Sequence, residues 1–285
     1  MTLITYKAIG FLQLCLNNLV VDTVGYIASL LIGISLGLIG GGGSILTVPV
    51  MVYLFGLQPL LATSYSLFVV GSTSLVGAFN NLRQGLVNIK AALLFGASSM
   101  ATVFLTRKFL VPAIPKNIAT FDGLTLTGPL LTMVLFAVLM LAASISMIRN
   151  KKVAVAEQEC RDCIRFGKLV LYGVAIGLVT GLLGAGGGFL LLPALVLLLK
   201  LPIKKAIGTS LMIIALNSLI GFTGDLGHFA IDWFFLLKVT AIAIVGIFIG
   251  GGLNKKIQGD RLKKGFGWFV LVMGVYIILK GTLLK

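Results

Sequence analysis

A chain of 285 residues in which 58% are hydrophobic and only 11% are charged is excluded from the soluble globular class, whose charged share is roughly 25%. A formal net charge of +15 would suggest nucleic acid in a soluble protein, but the 23 Lys and Arg fall between apolar runs, where the positive-inside rule already expects them. Nucleic acid is therefore not an expected partner; the lipid bilayer is, and the positive surplus favours a small anionic substrate.

Taken in chain order, residues 1–22 carry a single Lys7 and no small-residue cleavage motif, so they are expected to form an interfacial segment rather than a cleaved leader. A first repeat, 23–148, follows: an apolar segment at 23–39, a glycine-rich break, a short segment at 45–55, then spans near 62–79, 90–106 and 128–148. Residues 149–168 hold Arg149, Lys151, Lys152, Arg161, Arg165 and Lys168 and form the linker. The second repeat, 169–285, has the same order: segments at 169–183 and 189–199 flank a break, and spans lie near 206–223, 234–253 and 265–282. Residues 123–148 and 169–199 contain no charged residue or His, and each exceeds the ~20 residues that cross hydrocarbon. The expected fold is an all-α integral membrane protein.

The two halves are copies. Adding 144 to any position from 32 to 77 carries GLIGGGGSILTVP (Gly37 to Pro49) onto GLLGAGGGFLLLP (Gly181 to Pro193) without a gap, and 18 of the 46 pairs are identical. Among them are Gly33/Gly177, Gly40/Gly184, Gly42/Gly186, Gly43/Gly187, Ser66/Ser210, Ser74/Ser218 and Gly77/Gly221. Shared hydrophobicity alone does not keep glycines and prolines in register.

If the chain enters and leaves on one side at each break, each half makes an odd number of crossings and the second is inverted. With the linker in the cytoplasm, that hairpin topology puts 16 of the 23 Lys and Arg inside, against 12 for a broken helix that crosses once. The positive-inside rule selects the hairpin, so two inverted-topology repeats are expected, each a glycine-broken helical hairpin plus three transmembrane helices, with both termini outside. Arg107, Lys108 and Lys116 then fall outside, against the rule.

Four consecutive glycines, Gly40, Gly41, Gly42 and Gly43, do not suit a membrane helix, because each costs up to ~1 kcal/mol relative to Ala and exposes backbone that lipid cannot satisfy. Such a break survives where protein or a watery cavity covers it. Half-helices starting near Ser44 and Gly188 would aim free N–H groups and positive dipole ends into that cavity, an anion site without a charged side chain. Inverted repeats with broken helices bind substrate between the repeats, which makes Gly40–Gly43, Ser44, Gly184, Gly186, Gly187 and Gly188 the candidate site. The competing reading, close helix packing, suits Gly33/Gly37 and Gly177/Gly181.

The paired glycine breaks, each followed by an apolar half-helix with Pro49 or Pro193 and then by ATSYSL or AIGTSL, resemble the sulfite exporter TauE/SafE family of permeases. The resemblance covers residues 23 to 283. It implies passage of small sulfur-containing or carboxylate anions such as sulfite, thiosulfate, sulfoacetate and sulfolactate. Ala185 and Gly188 replace Gly41 and Ser44 in the second copy, so the half-sites differ chemically.

Hydroxyls in the next span, Thr63, Ser64 and Ser66 with Thr209 and Ser210, are candidate donors to an oxyanion, or bond back to their own helix. Asn217, Ser72, Thr73 and Ser74 read the same way. Arg83 either forks onto an anion or snorkels at the interface. Asp225 and His228, the only histidine, either relay protons or are solvated in the loop GDLGHFAID. Lys238 is a second anion attractor or an anchor, and Asp22, Asp122 and Asp232 are cap residues. Cys160 and Cys163 lack the second ligand pair of a zinc site, and no cofactor is expected.

The expected function is a secondary transporter of a small sulfur-containing or related organic anion, working by alternating access and coupled to protons or sodium. GGGGS lacks the Lys of a P-loop, so ATP does not drive it. A passive anion channel is the alternative, separable by unitary currents; an intramembrane enzyme would need clustered catalytic groups in the spans and is not expected. The chain is placed as a multi-pass protein of the cell membrane, and the sequence permits a homo-oligomer.

Overall fold

The computed structural model describes residues 23–113, 117–121, 124–149, 166–184, 186–199, 201–228, 230–254 and individual helical positions between 268 and 279. The expected interfacial segment 1–22, nearly all of the linker, most of the last span, Lys116 and the three cysteines lie outside the described residues.

The described chain is nearly all helical. Helix α1 (Thr23–Ile39) ends at Gly40, a 3-10 turn spans Gly41–Leu46, and α2 is Thr47–Tyr53. Then come α3 (Pro59–Arg83), α4 (Ile89–Leu105) with a π turn at Thr106–Leu110, and α5 (Gly128–Arg149). The second half supplies α6 (Phe166–Leu183), α7 (Gly188–Leu198), α8 (Ile203–Asp225) and α9 (Trp233–Asn254). Pro59 opens α3 at a position where its missing N–H has no cost. Asn88 caps α4 by accepting from Ala91 N at 3.1 Å, and Asp232 caps α9 by accepting from Phe235 N at 3.1 Å, as its sequence position suggests.

One departure from an all-helical chain precedes α5. Strands β1 (Asn117–Phe121) and β2 (Leu124–Thr127) pair antiparallel. Both are rich in β-branched and aromatic residues, and Asp-Gly, a strong hairpin dipeptide, separates them in sequence. The expected spans at 90–106 and 128–148 leave this hairpin between them unassigned.

Among the described residues four helices are long and apolar enough to cross a membrane: Pro59–Arg83, Ile89–Leu110, Lys204–Asp225 and Trp233–Leu253. Helices α3 and α8 form the centre, packing on each other more extensively than any other pair. Helices α4 and α9 flank them and turn large apolar side chains outward, such as Leu93, Phe109, Leu237 and Phe248, the surface expected against lipid tails.

Contact registers give the helix directions. Gly71 lies against Leu219 and Gly77 against Leu211, so α3 and α8 are antiparallel. Gly33 approaches Ala243 and Gly37 approaches Ile247, so α1 runs parallel to α9. Gly177 approaches Ser99 and Gly181 approaches Thr106, so α6 runs parallel to α4. Helix α9 is parallel to α3, because Tyr65 stacks near Phe235 while Gly77 faces Ile247. Helix α4 is parallel to α8, because Gly96 faces Ile213 and Gly224 faces Arg107. The contacts Gly33 with Ala243 and Gly177 with Ser99 are related by the same offset of 144. Small residues allow these close approaches, the usual device where lipid gives helices no hydrophobic reason to associate.

Candidate functional site

Each break begins with a glycine whose backbone only glycine adopts readily. Gly40 has φ +74° with ψ −123°, and Gly184 has φ +65°, positive values that cost a residue without a Cβ little. Beyond these the copies diverge. The first continues as a 3-10 turn, so its α-helix starts only at Thr47 and has seven residues; the expected half-helix start near Ser44 is corrected to that extent. The second passes through Gly186 and Gly187, both at positive φ, and enters α7 at Gly188 as expected.

The two breaks meet. Gly41 and Gly188 touch backbone to backbone, so closely that a Cβ on either would overlap the other. All of Gly40, Gly41, Gly42, Gly43, Ser44, Gly184, Gly186, Gly187 and Gly188 are buried.

Hydroxyls surround this crossing. A Cβ on Gly186 would lie 2.7 Å from Ser218 Oγ, and one on Gly40 would lie 3.2 Å from Ser210 Oγ. Ser35 abuts Gly43, and Thr180 abuts Gly187. Among the described residues the hydroxyls of Ser35, Thr47, Ser66, Ser74, Thr180 and Ser218 are buried without a hydrogen-bond partner. Each such group costs about 1–3 kcal/mol if left unsatisfied, so Ser35, Thr180 and Ser218, the three that lie against break glycines, suit a polar occupant.

Several of the candidate hydroxyls are already engaged. Ser44 Oγ donates to Gly41 O at 2.7 Å, and Ser210 Oγ donates to Ile207 O at 2.9 Å. Thr209 Oγ1 donates to Lys205 O at 2.7 Å and accepts from Asn88 N at 2.9 Å, which ties the α3–α4 connection to α8. Ser66 remains open, and Ser64 lies beside Asp225.

A group that the sequence reading treated only as a misplaced charge dominates the second break. Arg107, in the π turn of α4, is 1% exposed. Its Nη1 donates to Asp225 Oδ2 at 3.0 Å and to Thr63 Oγ1 at 3.1 Å. Its Nη2 sits against Gly184, where an added Cβ would overlap both the guanidinium and Thr63. A π turn interrupts the regular helix and recurs at functional positions. The sequence signal was there: three cations on the side where the charge rule expects few, one of them level with an acid at the end of another span.

Asp225 closes α8 at 2% exposure, so the solvated-loop reading fails for it; His228, whose N–H donates to Asp225 O at 3.1 Å, is exposed. The structure does not bring Arg83 to the site: it is exposed at the end of α3, its guanidinium 4.4 Å above the Phe79 ring. Lys238 is likewise exposed, 3.9 Å over Phe234. Asn217, inside α8, donates to Ser99 Oγ at 2.6 Å and joins the halves.

Comparison with known proteins agrees in kind. A probable membrane transporter protein of Xylella fastidiosa (strain 9a5c) is 28% identical over 256 residues, covering 87% of this chain and 91% of the relative. One from Bacillus subtilis (strain 168) is 27% identical over 298 residues, covering 95% and 96%; one from Methanocaldococcus jannaschii is 25% identical over 272 residues, covering 89% and 94%. No solved structure matches the chain significantly. Residues 26–277 match the sulfite exporter TauE/SafE family, and this chain belongs to that family of membrane transporters.

Proposed function

We propose that this chain is a secondary carrier that moves a small sulfur-containing anion, such as sulfite, thiosulfate or sulfoacetate, across the cell membrane by alternating access about its two glycine breaks. The observation that carries this reading is the meeting of Gly41 and Gly188 within a shell of buried, unpartnered hydroxyls and beside a buried guanidinium. An oxyanion satisfies all three: it accepts from hydroxyls, from the N–H groups at the start of α7 and from Arg107.

Helix directions support inverted repeats. Helices α1 and α3 both run with α9, and α6 and α8 both run with α4, so the chain reverses between the members of each pair, as a hairpin at each break requires. The equivalent helices α3 and α8 are antiparallel; equivalents related by an axis along the membrane normal would be parallel. The favoured topology keeps the linker 149–168 cytoplasmic and both termini outside. Asp225, with His228 next to it, is the group proposed to couple a proton to the anion; sodium is the other coupling ion to test.

The experiment is uptake of radiolabelled sulfite, thiosulfate and sulfoacetate by liposomes holding the purified protein, with and without imposed proton or sodium gradients. Saturable uptake of one of them, accelerated by one gradient, is the expected outcome. Uptake no greater than that of empty liposomes for all three contradicts the reading, and unitary currents far above carrier turnover replace the carrier with a channel.

A further inference from the structure

The breaks explain why an anion binds but not which head group. Arg107 has three nitrogens, and only Nη1 is used: it serves both Asp225 and Thr63. Among the described residues Nε and Nη2 have no hydrogen-bond partner although both are buried. These two N–H groups form one edge of the guanidinium and point the same way, which is the edge that takes two oxygens of one oxyanion side by side. Nη2 is also the nitrogen against Gly184, at the start of the second break. One side of the planar group is thus fixed to protein, while on the other Nη2 lies at the second break.

The two copies differ here. The offset that pairs Ser99 with Ala243 pairs Arg107 with Gly251, so the first break has no matching cation at that place. Around Gly40 stand Ile207 and Ser210 instead. With one fork, the site grips one oxyanion head by paired hydrogen bonds.

From these atoms we infer that Arg107 is the head-group anchor, binding two oxygens of a carboxylate, sulfonate or sulfite through Nε and Nη2, while Asp225 and Thr63 act as positioning residues that hold Nη1. The inference rests on the carrier reading above and adds the residue that recognises the substrate. It also predicts a selectivity: a spherical halide meets one point charge and forfeits the paired hydrogen bonds, so chloride competes poorly with a forked oxyanion.

The test compares wild type, Arg107→Lys, Asp225→Asn and the double variant Arg107→Gln/Asp225→Asn in liposomes, with radiolabelled sulfite as probe and sulfoacetate or chloride as competitor. The double variant removes both charges, so no unpaired ion is left in the interior. Wild-type uptake should be inhibited by sulfoacetate and hardly by chloride. The double variant should lose uptake at least tenfold while remaining monodisperse. Arg107→Lys keeps the charge and loses the fork: KM for sulfite should rise about tenfold, and discrimination against chloride should shrink. Asp225→Asn should raise KM for sulfite, because Nη1 loses its carboxylate, and should also remove any acceleration by a proton gradient.

A merely structural role for Arg107 would lower the amount of folded carrier and leave both KM and the chloride ratio unchanged. That result in the Lys variant, or unchanged sulfite KM in the double variant, overturns the assignment even if the carrier reading stands. No oxyanion uptake by wild type removes the carrier reading and the assignment with it.

Discussion

Arg107 shows how much of a candidate site a linear reading can miss. In sequence Arg107 is a cation at the end of a span; it joins the candidate site only because α8 brings Asp225, α3 brings Thr63, and the second break brings Gly184 against it. None of those neighbours is within 40 positions of it in sequence, so no local pattern announces them. The glycine breaks, by contrast, are legible as breaks because their constraint is local: a run of glycines exposes backbone that lipid cannot satisfy. Gly184→Ala tests whether contact or backbone matters more. It combines strain at φ +65° with a Cβ in the space of Arg107 and Thr63, whereas Gly56→Ala has comparable strain at φ +67° and nothing within 4 Å. Both should lose about 1–2 kcal/mol from the left-handed backbone, read as a lower unfolding temperature in detergent, but only Gly184→Ala should abolish sulfite uptake.

At the scale of elements, helix boundaries followed the apolar runs closely. Thr23–Ile39 was expected at 23–39, and Gly188–Leu198 at 189–199. The β1/β2 hairpin and the π turn of α4 were not foreseen, because uniform hydropathy hides both a two-residue strand alternation and one extra residue in a helical turn. The offset of 144 extends into α4 and α9, where the small residues that let helices touch are paired across the copies. Valine at Gly33 or Gly177 should force α1 from α9 or α6 from α4, costing about 1–3 kcal/mol by overpacking, visible as a lower unfolding temperature. In a variant without the native cysteines, Leu67→Cys/Gly221→Cys should form a disulfide on oxidation and Leu67→Cys/Leu211→Cys should not; the reverse pattern would make α3 and α8 parallel.

For the whole molecule the sequence carries the class clearly, since duplication and charge scarcity are properties of the entire chain. Handedness in the membrane rests on charge counting and helix direction together. Single cysteines placed at Thr2 and at Glu157 in the cysteine-free variant should differ in labelling by an impermeant maleimide on intact cells. Thr2→Cys should react, Glu157→Cys only after permeabilisation; labelling of both before permeabilisation would contradict the cytoplasmic linker. What no single sequence supplies is the ligand, because duplication, breaks and charge pattern mark a membrane transporter without naming its substrate.

The most direct measurement is sulfite uptake into liposomes by Gly42→Leu and Gly186→Leu beside wild type, with the amount of folded protein matched. Both glycines are buried in the breaks, and a Cβ on Gly186 already approaches Ser218 Oγ to 2.7 Å. Uptake should fall to the level of empty liposomes in both variants while the protein stays folded in the membrane. Wild-type rates in either would remove the glycine breaks from the transport path.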